Sequence, residues 1–182
     1  KNPLRCTEPG LANLGMSDMI RTLRSNELSS AFYEDTPANP TEQAVNDALE
    51  IYKQNDCDGV IGFGGGSSMD LAKTVALMAN HKGNVVDYSV NEGGVGKINQ
   101  TMPMIALPTT AGTRSEVSPG AIIIMNDGRK LILASDHLIT TAAICDPALT
   151  LGFTHVITAG AQMEALTTRM DDVPSPMLDT HG

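Results

Sequence analysis

Short apolar runs alternate along this chain with longer stretches in which apolar positions return every three or four residues. The runs Pro3–Cys6, Ala31–Tyr33, 59–63, 104–107 and 142–145 are nearly continuous in apolar character, the pattern of strands covered on both faces. The periodic stretches predict helices over residues 17–24, 42–55, 67–78 and 154–170. In the second of these, Thr41 is placed to cap the first turn, and Ala44, Ala48, Ile51 and Tyr52 share one face. In the third, Met69, Ala72, Val75 and Ala76 turn inward. Pro37, Asn39 and Pro40 mark a loop. Two apolar segments, 121–125 and Lys130–Ala134, flank Asn126-Asp127-Gly128, a strong hairpin signal. Strands alternating with helices predict an α/β fold: a doubly wound, mainly parallel sheet with helices on both faces.

Composition narrows this picture. Aromatic residues are 3% of the 182 and Trp is absent, so the core rests on aliphatic side chains, with ten Met to fill irregular gaps. The formal net charge of −9 and the lack of any basic run argue against nucleic acid and against anionic membrane surfaces. Acidity does not exclude a dinucleotide, whose phosphates can be held by backbone N–H groups at a helix start. Cys6, Cys57 and Cys145 are far apart and form no metal-binding or disulfide spacing, which fits free thiols in a reducing compartment. No apolar run reaches the roughly 20 residues of a membrane span. The first residues show no signal-peptide pattern, so a cytoplasmic location is expected. The chain opens almost inside a strand and closes where a helix is about to continue, as a piece of a longer protein would.

The sharpest chemical feature is Gly64-Gly65-Gly66-Ser67-Ser68-Met69-Asp70-Leu71-Ala72-Lys73, between a predicted strand and a predicted helix. Three glycines let the backbone turn tightly and approach a ligand closely. The first N–H groups of the helix are unsatisfied and carry partial positive charge, so a pyrophosphate would complete them. Ser67 is placed either to cap the helix or to donate to a phosphate oxygen. Taken locally, the same residues also fit a tight turn without a ligand, since this is neither the dinucleotide GxGxxG pattern nor a P-loop. A second loop, Leu107-Pro108-Thr109-Thr110-Ala111-Gly112-Thr113-Arg114-Ser115-Glu116-Val117, clusters hydroxyl side chains after another buried strand. Such a loop can wrap a ribose or a nicotinamide, or be an ordinary polar connection.

Together these segments resemble the iron-containing alcohol dehydrogenase family, which is related to glycerol dehydrogenase and dehydroquinate synthase. Asn39-Pro40-Thr41 resembles its NPT segment, Asp58-Gly59 with Gly64–Lys73 its DG…GGGSxxDxAK signature, Leu107–Val117 its PTTAGTGSEV stretch, and Asp146-Pro147-Ala148-Leu149-Thr150 its DPxLT. The resemblance implies a Rossmann-like dinucleotide domain over residues 1–150, of the dehydroquinate synthase-like kind. Residues 151–182 then begin an all-helical domain, with the active site in the cleft between the two. It implies reversible hydride transfer between a nicotinamide cofactor and a primary alcohol or aldehyde, by a homodimer or larger homo-oligomer. By motif position, Gly65, Gly66 and Ser67 would hold the pyrophosphate, and Asp70 would face the nicotinamide as the catalytic-side residue. Asn39, Thr109, Thr110, Lys130 and Leu149 would contact the cofactor. Glu8 stands where the family often has Asp; a carboxylate there accepts from the adenosine ribose and repels a 2′-phosphate, favouring NAD over NADP.

The metal positions depart from the family pattern. Its members bind Fe2+ or Zn2+ through an Asp and a His four residues apart on one helix, plus two further His. Here Glu164 stands at the Asp position and Thr168 at the His position. Glu164 remains a hard oxygen ligand, whereas Thr is a poor one for these metals. His137, His155 and His181 have no partner at helical ligand spacing. Two alternatives follow: a metal-independent reductase of an acidic keto substrate, resembling maleylacetate reductases, or a non-catalytic nucleotide-binding module. Arg114, where the family has Gly or Ala, brings a positive charge that either receives an acidic substrate or points to solvent.

Overall fold

The computed structural model describes residues 2–16, 18, 31–150 and 163. In chain order the principal elements are β1 (Pro3–Cys6), α1 (Pro9–Asn13), β2 (Ala31–Tyr33), α2 (Glu42–Gln54), β3 (Gly59–Gly64) and α3 (Gly66–Asn80). They continue with β4 (Met104–Pro108), β5 (Gly120–Ile124), β6 (Lys130–Ala134) and β7 (Ala142–Ala143). Five strands form one sheet in the order β2-β1-β3-β4-β7, parallel at every pairing. β5 and β6 stand apart as an antiparallel hairpin, closed around Gly128 at φ 85°.

The two faces of the sheet are packed unequally. On one face α2, α3 and the hairpin bury Leu4, Cys6, Val60, Met69, Val75, Ile123 and Leu131 in a single large cluster. On the other, Phe63 meets Leu11 of α1, Leu149 and the partly buried Leu107. This division follows the two-residue alternation of the strands. Val60 and Gly62 face α3, whereas Phe63 faces α1. A Cβ at Gly62 would lie 3.0 Å from Met104 Cε and 3.2 Å from Ala72 Cβ, so glycine there lets α3 settle close on the sheet.

Several predicted elements stand with small shifts. Thr41 caps α2, its hydroxyl accepting from the Ala44 N–H at 3.2 Å. Ala44, Ala48 and Tyr52 are buried as expected, and Ile51 is half-buried. α3 begins one residue early, with Gly65 rather than Ser67 at the cap position. β7 shortens to two residues, because the chain turns at Asp146-Pro147 into a 3-10 turn over Pro147–Thr150. α1 lacks a predicted counterpart; Pro9 at its first position presets the helical φ. The predicted helices over 17–24 and 154–170 fall, but for single residues, outside the described part.

Candidate functional site

The strand order reverses between β1 and β3. The chain leaves β1 for β2 on one side, then returns to place β3 on the other. Ligands of open α/β sheets bind at the carboxyl ends of the strands beside such a switch point. Here those ends carry Thr7 and Glu8 after β1, Gly64-Gly65-Gly66 after β3, and Thr109-Thr110 after β4. Thr109 N–H donates to the Gly64 carbonyl at 2.9 Å, locking the threonine loop to the glycine loop.

The glycines are used in different ways. Gly64 has φ 144°, and a Cβ on it would lie 2.5 Å from Ser68 Oγ, so side chains are excluded twice over. Gly65 caps α3 without a side-chain hydrogen bond, and α3 has no acidic residue in its first turn. Thr110 and Thr113 stand over the loop: Thr110 Oγ1 is 3.5 Å from where a Gly65 Cβ would lie, and Thr113 Cβ is 3.3 Å from one on Gly66. Ser67 donates its hydroxyl to the Ala38 carbonyl, which joins the glycine loop to the Asn39-Pro40 loop.

A cleft of about 530 Å3 opens beside this loop. Asn39, Gly66, Ser67, Asp70 and Lys130 all line it, together with Thr113, Ser115 and the apolar Ile122, Ile124 and Ile132. Asp70 accepts from Ser115 Oγ at 2.5 Å through one oxygen and from the Ile122 N–H at 3.1 Å through the other. Burial pushes its carboxyl up, and the bonds from Ser115 and Ile122 and the charge of Lys73 oppose this. Lys73, one turn further along α3, is 1% exposed and donates to the carbonyls of Ser118 (2.6 Å) and Gly120 (2.9 Å). Burial pushes its ammonium down, while Asp70 and Glu116 favour the charged form. The part played by Lys73 was not legible in the sequence, where it stands only as the last residue of the glycine-loop segment.

Five expected contact residues lie outside the cleft lining: Gly65 in the loop itself, and four others close to it. Thr109 is fully buried, and Thr110 stands over Gly65. Leu149 packs on Phe63. Glu8 is half-buried beside the Gly65 N–H; burial pushes its carboxyl up and that N–H favours the ionised form. Buried hydroxyls of Thr7, Ser68, Thr109 and Thr110 have no hydrogen-bond partner. Buried polar groups left unpaired cost about 1–3 kcal/mol each, so four of them around one loop fit a polar ligand that completes them. Among the described residues no three His, Cys, Asp or Glu side chains converge as a metal site. Those residues alone do not fit one, and Glu164 and Thr168 lie outside the described part. No helix among the described residues is long and apolar enough to cross a membrane.

Fold and site together define a dinucleotide-type α/β domain whose glycine loop meets a cleft lined by polar and apolar side chains. The model of the iron-containing alcohol dehydrogenase family matches residues 1–147, and the chain belongs to that family. It is 44% identical over 167 residues to a 4-hydroxybutyrate dehydrogenase of Cupriavidus necator, covering 91% of this chain and 44% of that protein. Among solved structures it resembles a 1,3-propanediol oxidoreductase, with TM-score 0.85, 30% identity and coverage of 93% of this chain and 44% of the other. It also resembles a sulfoacetaldehyde reductase from Bifidobacterium kashiwanohense in complex with NAD+, with TM-score 0.80, 31% identity and coverage of 90% and 43%. The chain thus spans less than half the length of the relatives it matches.

Proposed function

We propose that the whole protein is an NAD-dependent oxidoreductase that interconverts a primary alcohol and an aldehyde. The observation that carries this reading is the set of buried, unpaired hydroxyls around a glycine loop at the switch point. The nicotinamide supplies a hydride acceptor or donor when bound. Gly65, Gly66 and Ser67 offer the start of α3 to the pyrophosphate. Thr109 and Thr110 give their hydroxyls to the cofactor, and Leu149 packs beneath the loop. Asn39 and Lys130, which both line the cleft, contact the cofactor from the Asn39-Pro40 loop and from β6. Asp70, braced by Ser115 and Ile122, keeps a fixed carboxylate on the nicotinamide side. Glu8 sits where a 2′-phosphate would meet a like charge.

Fluorescence titration with NADH and NADPH tests this. NADH is expected to bind at least about tenfold more tightly than NADPH, the scale of one like-charge contact. Glu8→Gln is expected to narrow that gap. A protein that quenches neither dinucleotide contradicts the reading.

A second reading concerns the substrate. Arg114 holds φ 55°, a left-handed conformation costing about 1 kcal/mol for a side-chain-bearing residue, between Thr113 and Ser115 of the cleft wall. Two relatives are named for substrates that carry an acid group, 4-hydroxybutyrate and sulfoacetaldehyde. These names favour an anionic substrate, and Arg114, flanked in the chain by two residues of the cleft lining, is the cation we assign to it. Arg114→Gly is expected to lower kcat/KM on an ω-hydroxy acid while sparing a neutral alcohol of the same length. Equal kinetics on both substrates removes this reading.

A further inference from the structure

A lysine with 1% exposure needs an explanation. Taking an ammonium out of water costs several kcal/mol even after relaxation, and Met at the same place would pack without that penalty. Its ammonium is taken up by the Ser118 and Gly120 backbone carbonyls, so ligand contact does not account for it. Its position against β5 does. β5 pairs with β6 along one edge and on the other meets the main chain only in a single bridge, Ile124 to Thr41. The groups along its other edge are nonetheless occupied in turn. The Ser118 and Gly120 carbonyls accept from Lys73, the Ile122 N–H donates to Asp70, and the Ile124 N–H donates to the Pro40 carbonyl at 2.9 Å. Two charged side chains of α3 therefore stand where a neighbouring strand would be. An exposed strand edge is a liability that needs covering, and here the cover also fixes a wall of the cleft.

We propose that Lys73 is a positioning residue for the dinucleotide cleft: from inside the core it holds the β5–β6 hairpin so that Ile122, Ile132 and Lys130 face the glycine loop. This rests on the cofactor reading above. A neutral side chain of similar length fills the same volume but leaves two carbonyls unheld and Asp70 without its neighbouring cation. The charged groups around Lys73 are Asp70 on α3 and Glu116 on the adjoining loop, with Lys130 across the cleft on β6.

The test is Lys73→Met in the whole protein, read in three ways. Hydrogen exchange is expected to speed up at least about tenfold at the Ile122 and Ile124 amides while α2 is unchanged, because local opening follows the loss of local contacts. NADH affinity is expected to fall by about 10–100-fold, as when a residue supporting a site from behind is removed. The low-pH loss of NADH binding is expected to begin at higher pH, because Lys73 helps hold the Asp70 carboxyl down. A variant that is merely less stable keeps the wild-type pH profile in its folded fraction. Unchanged hairpin protection and unchanged NADH affinity overturn the proposal. Should the single variant fail to fold, Asp70→Asn/Lys73→Met leaves no unpaired buried charge, and its hairpin is expected to exchange faster at retained global stability. In that double variant, wild-type protection of the hairpin overturns the proposal equally. A wild-type protein that binds no dinucleotide sinks the functional reading, while the exchange data still decide what holds the hairpin.

Discussion

α2 and α3 pack side by side on the same face of the sheet, yet they are finished in opposite ways. α2 is capped by the Thr41 hydroxyl, has Glu42 in its first turn and Lys53 in its last, and buries one stripe. Its outer face carries the pairs Gln43–Asp47 and Gln54–Glu50 at 2.7 and 2.9 Å. Each of these features satisfies a helix with its own side chains. α3 has none of them: a glycine cap with no side-chain bond, no acid at its start and no base at its end. It is instead buried almost all round, from Ser68 to Met78. The difference teaches where function sits. A helix held by burial can leave its first N–H groups for a ligand, whereas one at the surface must complete its own.

The largest effect is expected at the entry to α3. Gly64→Ala forces a methyl into a φ 144° backbone and onto Ser68. It is expected to cost about 3 kcal/mol in denaturant unfolding and to abolish NADH binding. Thr41→Ala at the start of α2 sharpens the contrast from the other side. It is expected to cost about 1 kcal/mol with NADH affinity unchanged. If Thr41→Ala weakened NADH binding as much as Gly64→Ala, the division of labour between the two helices would be wrong.

Local patterns were legible in the sequence, and long-range ones were not. The glycine triplet, the Thr41 cap and the Asn126-Asp127-Gly128 turn each announce their conformation within a few residues, and the strands between them show as apolar runs. α1 escaped notice because it is five residues long and buries only Leu11, too short for a period to emerge. The cap of α3 fell at Gly65 rather than at Ser67 because the Ser67 hydroxyl is drawn away to Ala38, 29 residues back in the chain. Lys73 was unreadable for the same reason. Its partners, Ser118 and Gly120, are 45 and 47 residues away, and nothing near position 73 signals that the helix is covered there. Arg114 shows the reverse case. Its departure from the family's Gly or Ala showed in the resemblance, and φ 55° is a backbone conformation that glycine adopts without strain.

The account turns on the unpaired hydroxyls being cofactor contacts, and Thr109→Val tests that most directly. Thr109 is fully buried, its hydroxyl has no partner, and valine preserves its shape. Without ligand, the variant is expected to be more stable than wild type by about 1 kcal/mol, because an unsatisfied buried group is gone. With ligand, it is expected to bind NADH about tenfold more weakly, the loss of one hydrogen bond to the cofactor. A variant that gains stability yet binds NADH as tightly as wild type would contradict the account.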